Sequence, residues 1–122
     1  MEAFFDARKH PKIRFMVSGV RKSQRVEAVI DTGFDGYLSL PISVAVSLGL
    51  ELFGLEAVEY ADGRTSNELV FLVQLEFDGK KRTVPATLTQ STQTLAGNSL
   101  FDNYSILFDF PRQKITIEKN IG

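Results

Sequence analysis

The chain has 122 residues, with 14 Lys and Arg against 15 Asp and Glu, 43% hydrophobic residues, ten Phe and no cysteine. That length suits one domain (1–122) with a real core, and a net charge of −1 argues against nucleic acid or an anionic membrane surface as a partner. Without cysteine there are no disulfides and no thiol chemistry, and the lone His10 sits in a polar N-terminal segment, which argues against a histidine-rich metal site and a histidine-based triad within one chain. No signal-type apolar run opens the sequence and no stretch approaches membrane-spanning length, so a soluble, cytoplasmic protein is expected.

Residues 1–11 form a polar arm carrying a small apolar patch at Ala3, Phe4 and Phe5, open either to fraying or to pairing with a neighbour. From Lys12 to Val20 the sequence alternates, with Ile13, Phe15 and Val17 on one side, which predicts a half-buried strand. Gly19 to Gln24 reads as a polar turn, and Arg25 to Ile30 as a second strand ending at Asp31. Tyr37 to Leu40 alternates again. Pro41 then opens a short amphipathic segment, Ile42 to Leu48, with Gly49 as its stop.

Glu56 to Tyr60 and Thr65 to Phe77 flank Ala61-Asp62-Gly63-Arg64, where Asp-Gly between strand-like runs predicts a two-residue hairpin turn. Asp78 to Lys81 marks another turn and Arg82 to Leu88 another strand. A polar loop, Thr89 to Thr94, leads to Leu95-Ala96-Gly97 and a predicted helix over 98–104 with Asn98 or Ser99 near its cap. Ser105 to Phe110 and Ile115 to Glu118 close the chain around a turn at Pro111 to Lys114. Short strands between regular turns predict a mostly β sandwich or barrel with one or two short helices.

The chemistry concentrates at Val29-Ile30-Asp31-Thr32-Gly33-Phe34-Asp35-Gly36. An apolar run delivers Asp31 to the mouth of a strand, and a partly buried acid is costly unless hydrogen bonds or protonation compensate. The spacing of Asp31, Gly33 and Asp35 echoes a calcium loop. The twelfth position, where that loop needs an acid, is Ile42, and a strand precedes the loop instead of a helix. A plain structural turn also accounts for Asp, Thr and Gly together. The context favours more: the acid ends an apolar strand, a hairpin with a polar tip follows, and a second apolar-apolar-Gly element lies near the C-terminus.

Those three features, with the run Ile30-Asp31-Thr32-Gly33-Phe34-Asp35-Gly36-Tyr37-Leu38-Ser39-Leu40-Pro41, resemble the single-domain retropepsin-like aspartic proteases, in the form found in prokaryotes. The resemblance spans Ile13 to Ile117 and implies a closed β-barrel with a flap hairpin. It implies Asp31 as the catalytic carboxylate, Thr32 as a lock between two active-site loops, and Gly33 as the point of close approach for substrate backbone. Phe34, Asp35, Gly36 and Tyr37, with Tyr60, Ala61, Asp62 and Gly63 of the flap, are the implied substrate contacts. Leu38 and Val58 would complete a largely apolar pocket. Leu95-Ala96-Gly97 would pack behind the catalytic loop.

Such chemistry needs two carboxylates sharing one proton, so that one acts as acid while the other acts as base. One Asp-Thr-Gly supplies one of them. The resemblance therefore implies an endopeptidase working as a two-fold homodimer on peptide or protein substrates, with neither metal nor cofactor. Ala3 to Phe5 and Ile115 to Ile117 are candidate interface strands, with ordinary core or edge packing as the alternative. Two departures from the family stand out. Phe34 replaces the usual Ala or Ser, leaving it open to a pocket or a core role. Asn98 replaces the arginine that partners an acid at the position of Asp35 in retroviral enzymes, leaving Asp35 to bind substrate backbone or cap a turn. A catalytically inactive module for peptide binding or assembly, built on the same fold, is the competing reading.

Overall fold

The computed structural model describes residues 2–120 and is mostly β. The strands are β1 (Glu2–Phe5), β2 (Pro11–Ser18), β3 (Ser23–Ile30), β4 (Leu38–Pro41), β5 (Glu51–Glu59), β6 (Thr65–Phe77), β7 (Lys80–Thr89), β8 (Thr94–Ala96), β9 (Tyr104–Asp109) and β10 (Lys114–Lys119). One α-helix, α1 (Ile42–Leu48), and one 3₁₀ turn at Asn98–Phe101 complete the chain.

Eight strands run in the order β1-β2-β3-β8-β4-β7-β6-β5, and a further β2–β6 pairing bends the middle six into a closed barrel. Closure leaves few free sheet edges, and the inward side chains of each strand meet at the centre. Ile13, Phe15 and Val17 of β2, predicted to share one face, are buried, and so are Val26, Ala28 and Ile30 of β3 and Val73, Leu75 and Phe77 of β6. β4 is buried on both faces because α1 packs against it. Phe77 anchors the far end, with Tyr104 meeting its ring edge-on at 4.9 Å and Phe101 at 5.7 Å.

Several boundaries differ from the sequence reading. The N-terminal arm forms a strand, β1, that pairs antiparallel with β2 at the edge of the sheet. Arg14 stands opposite both Glu2 and Glu27 on the adjoining strands, forms ion pairs with both, and lays its guanidinium 4.2 Å from the Phe4 ring. β5 starts at Glu51, five residues before the expected strand, because a bulge between Leu52 and Gly54 breaks the alternation that would have revealed it. The predicted helix over 98–104 shrinks to a single 3₁₀ turn, since β9 already begins at Tyr104.

The turn between β1 and β2 is held by Asp6. Its Oδ1 accepts the backbone N–H groups of His10 at 2.9 Å and Arg8 at 2.8 Å, and Lys12 Nζ lies 3.1 Å from Oδ2. The His10 N–H does most to lower this carboxyl to about 2; desolvation opposes it, and Lys12 and the Arg8 N–H add to the lowering. A carboxylate depressed by folding stabilises the folded state above its ordinary value of 3.8, and that contribution is lost as pH falls through about 2. Thermal melts should therefore place Asp6→Asn below the parent at neutral pH, with the difference closing towards pH 2. A gap that persists in strong acid would contradict this role.

Candidate active site

The site is built where β3 ends. Asp31 continues the strand just far enough for its N–H to donate to the Ala96 carbonyl at 3.0 Å, and the chain then turns sharply, Phe34 N–H donating to Asp31 O at 3.1 Å. Inside that turn the Gly33 N–H donates to Asp31 Oδ1 at 2.9 Å. The carboxylate is half-buried and oriented by this bond, the same one that Asp6 and Asp62 accept in their own turns. Thr32 and Gly33 are exposed beside it.

What holds the loop in place comes from the other end of the chain. β8 is inserted between β3 and β4, parallel to the first and antiparallel to the second, so the two strands flanking the loop are separated by a segment over fifty residues later in sequence. From its end, Gly97 N–H donates to Tyr37 O (2.9 Å), Asn98 N–H to Phe34 O (2.8 Å) and Ser99 N–H to Gly36 O (3.2 Å). Side chains add two more bonds: Asn98 Nδ2 to Thr32 O at 2.8 Å and Ser99 Oγ to Asp35 O at 2.5 Å. A β-carbon on Gly97 would lie 2.7 Å from the Phe34 carbonyl oxygen and closer still to that of Gly36, so only glycine fits there.

This contact explains the shortened helix. Asn98 and Ser99, expected near a helix cap, make no capping bond; Gly97 occupies the cap and the two side chains serve the loop carbonyls. They are the positioning residues that sequence reasoning missed in this role. Their signal was present in the run of polar residues straight after the apolar-apolar-Gly element.

Above the loop lies a cleft of about 600 Å³. Its floor is Gly33, Phe34, Asp35, Gly36, Tyr37 and Leu38, and its wall comes from β5, β6 and β7. The arms of the β5–β6 hairpin contribute Glu56 to Glu59, Glu68 and Val70. Phe34, Asp35, Gly36, Tyr37 and Val58 are thus brought together as the sequence suggested. Phe34 lines the cleft and packs over Gly36 and Gly97, and it is not part of the buried core. The hairpin tip, Tyr60, Ala61, Asp62 and Gly63, stands outside the lining, and so do Asp31 and Thr32, which precede the lining residue Gly33 in the same turn. The tip is a longer turn than the predicted two-residue one. Gly63 N–H donates to Tyr60 O, Tyr60 N–H donates to Arg64 O, and Gly63 takes φ +85°. A three-residue loop closed by a left-handed glycine results. Tyr60 also donates its hydroxyl to Glu68 at 2.8 Å, and that bond holds the phenol above its ordinary value.

No protein-family model matches the sequence, and no curated protein sequence matches it. Among solved structures the chain is similar to "EIAV protease complexed with the inhibitor HBY-793", with a TM-score of 0.61 over 80% of this chain and 90% of that one. The fold is retropepsin-like. The two sequences are 13% identical, so the likeness concerns the path of the chain.

Within this retropepsin-like barrel the Phe5 ring lies tilted against Phe108 and Phe110, with centroids 6.5 and 5.2 Å apart, while Ile115 is buried and Ile117 packs against the core from β10. The opposite face of the β9–β10 hairpin carries Ser105, Leu107 and Asp109 against Lys114, Thr116 and Glu118, polar apart from Leu107. Among the described residues no three acidic, histidine or cysteine side chains converge as a metal site would require, and no helix is long and apolar enough to cross a membrane.

Proposed function

We propose that the chain is an aspartic endopeptidase of the retropepsin-like kind, closest in its active-site strand to the prokaryotic type, and that it works as a homodimer in the cytoplasm. The observation carrying this reading is the Asp-Thr-Gly turn at the end of β3, clasped from behind by Ala96 and Gly97 beneath a substrate-sized cleft. On this reading residues 1–122 are one catalytic domain and the β5–β6 hairpin is its flap.

The chemistry then follows from symmetry. Two copies of Asp31 face each other across a two-fold axis and share one proton. The ionised carboxylate removes a proton from water while the water oxygen attacks the peptide carbonyl carbon; the protonated carboxyl gives its proton to the carbonyl oxygen. The resulting gem-diol collapses with breakage of the C–N bond, and the departing nitrogen takes a proton from the dyad. Products are a carboxylic acid and an amine. Hydrogen bonds to the loop carbonyls from Gly97, Asn98 and Ser99 keep Asp31 from drifting, and small misplacements of such a group cost rate steeply.

A co-crystal with a hydroxyl-bearing mimic of the gem-diol tests this directly. Two copies of Asp31 should clasp one hydroxyl; a mimic bound by one copy, or bound elsewhere, would overturn the assignment. The competing reading, a binding or assembly module without activity, draws on Asp31 lying outside the lining of the cleft. Sedimentation at high concentration separates the two, because a strict monomer has no dyad.

A further inference from the structure

Four residues lining the cleft are acids, Asp35, Glu56, Glu59 and Glu68, and none is Lys, Arg or His. The chain as a whole is nearly neutral, so this is a local excess with its bases placed elsewhere. Glu56 and Glu68 are direct partners across β5 and β6, an arrangement that destabilises a sheet when both carry the same charge. The same fold avoids that cost in other places: Glu2 and Glu27 stand opposite Arg14, and Glu76 stands opposite Lys81. Among the described residues, none of the four cleft acids is in an ion pair. Position 98, beside the loop, holds an amide, Asn98, which binds the Thr32 carbonyl.

Resting on the reading of this cleft as the substrate cleft, we propose that it selects polypeptide segments carrying lysine or arginine, with Glu56 and Glu68 as the specificity-determining residues. A cationic side chain entering under the hairpin would neutralise the facing pair. Its aliphatic stem would lie along Val58 and Val70, with Phe34 and Tyr37 on the floor, as long basic side chains do when apolar surface flanks a charged end. Glu68 is held by the Tyr60 hydroxyl on Oε1, which leaves Oε2 for the ligand. Clefts lined by one sign of charge over low-dielectric walls focus their field on the opposite sign. Among the described residues no three acidic, histidine or cysteine side chains converge as a metal site would require.

The test uses the full chain and a set of peptides of equal length, identical except for Lys, Met or Glu at one scanned position. Cleavage is read by mass spectrometry. Binding is read by fluorescence anisotropy on the Asp31→Asn protein, which uncouples recognition from hydrolysis. At one or more positions Lys should exceed Met in kcat/KM, or in affinity, by roughly tenfold, Glu should be disfavoured, and the preference should shrink at high salt. In the double variant Glu56→Gln, Glu68→Gln the Lys-to-Met ratio should fall towards one, with a thermal midpoint no lower than the parent's. Cleavage without a basic preference, or a preference untouched in the double variant, would overturn the proposal and leave the peptidase reading standing. Basic-selective binding without any cleavage would do the reverse.

Discussion

Asp31→Asn protein is expected to melt within a few degrees of the parent and to have lost hydrolysis by about 10²–10⁴-fold or more, the range that one positioned acid–base group supplies. The change is nearly isosteric, and an amide oxygen still accepts the Gly33 N–H now bonded to Oδ1, so the turn survives. The shared proton does not. Subunit mixing adds a sharper measurement, because each working site needs Asp31 from both partners. After exchange, activity per parent chain should drop to about half in an equal mixture with Asp31→Asn and to about a fifth in fourfold excess, by random pairing of two-fold dimers. Activity per parent chain that ignores the added variant, while exchange is verified by labelled subunits, would rule out a shared dyad. Undiminished turnover by purified Asp31→Asn would dispose of the aspartic mechanism altogether.

Gly97→Ala should be strongly destabilising. The new β-carbon meets two backbone carbonyls, those of Gly36 and Phe34, and backbone yields far less readily than the end of a side chain. Relief requires β8 to move away from the loop, which stretches the Gly97–Tyr37 and Asn98–Phe34 bonds together. Overpacking of this kind costs about 3 kcal/mol or more, equivalent to a fall of roughly 10 °C in a domain of this size. Urea and thermal unfolding measure it, with Gly54→Ala as a control, since a β-carbon there meets nothing within 4 Å. Should Gly97→Ala melt with the parent, the close approach of β8 to the loop would be wrong. Folded Gly97→Ala protein should also lose turnover, because the same displacement moves Asp31.

The two expected results depend on different levels of structure. Much of the barrel was readable because its strands are half-buried: Ile13, Phe15 and Val17 alternate with Arg14 and Met16, and a period of two is what a pleated strand with one face in the core produces. The acid at the end of an apolar strand was readable for a similar reason, since burial of a carboxylate needs local compensation. The hairpin was found but not its length, because Asp-Gly is compatible with more than one turn and the bulge at Leu52–Gly54 hides the first half of β5. The 3₁₀ turn was overestimated as a helix. Asn98 and Ser99 carry ordinary capping chemistry, and what they bond to lies more than sixty residues away.

By itself, then, the sequence settled the period of the strands, the placing of Asp31 in a tight turn and the lack of cysteine and histidine chemistry, all of which depend on residue type and near neighbours. Only the tertiary structure decided that β8 threads between β3 and β4, that the Gly97–Ser99 segment grips the loop, and that Glu56 and Glu68 stand side by side in the wall of one cleft. The physical reason is range. Turn propensity and alternation act over a few residues, whereas strand insertion and cross-strand charge pairing are set by which distant segments closure of the barrel brings within hydrogen-bonding reach.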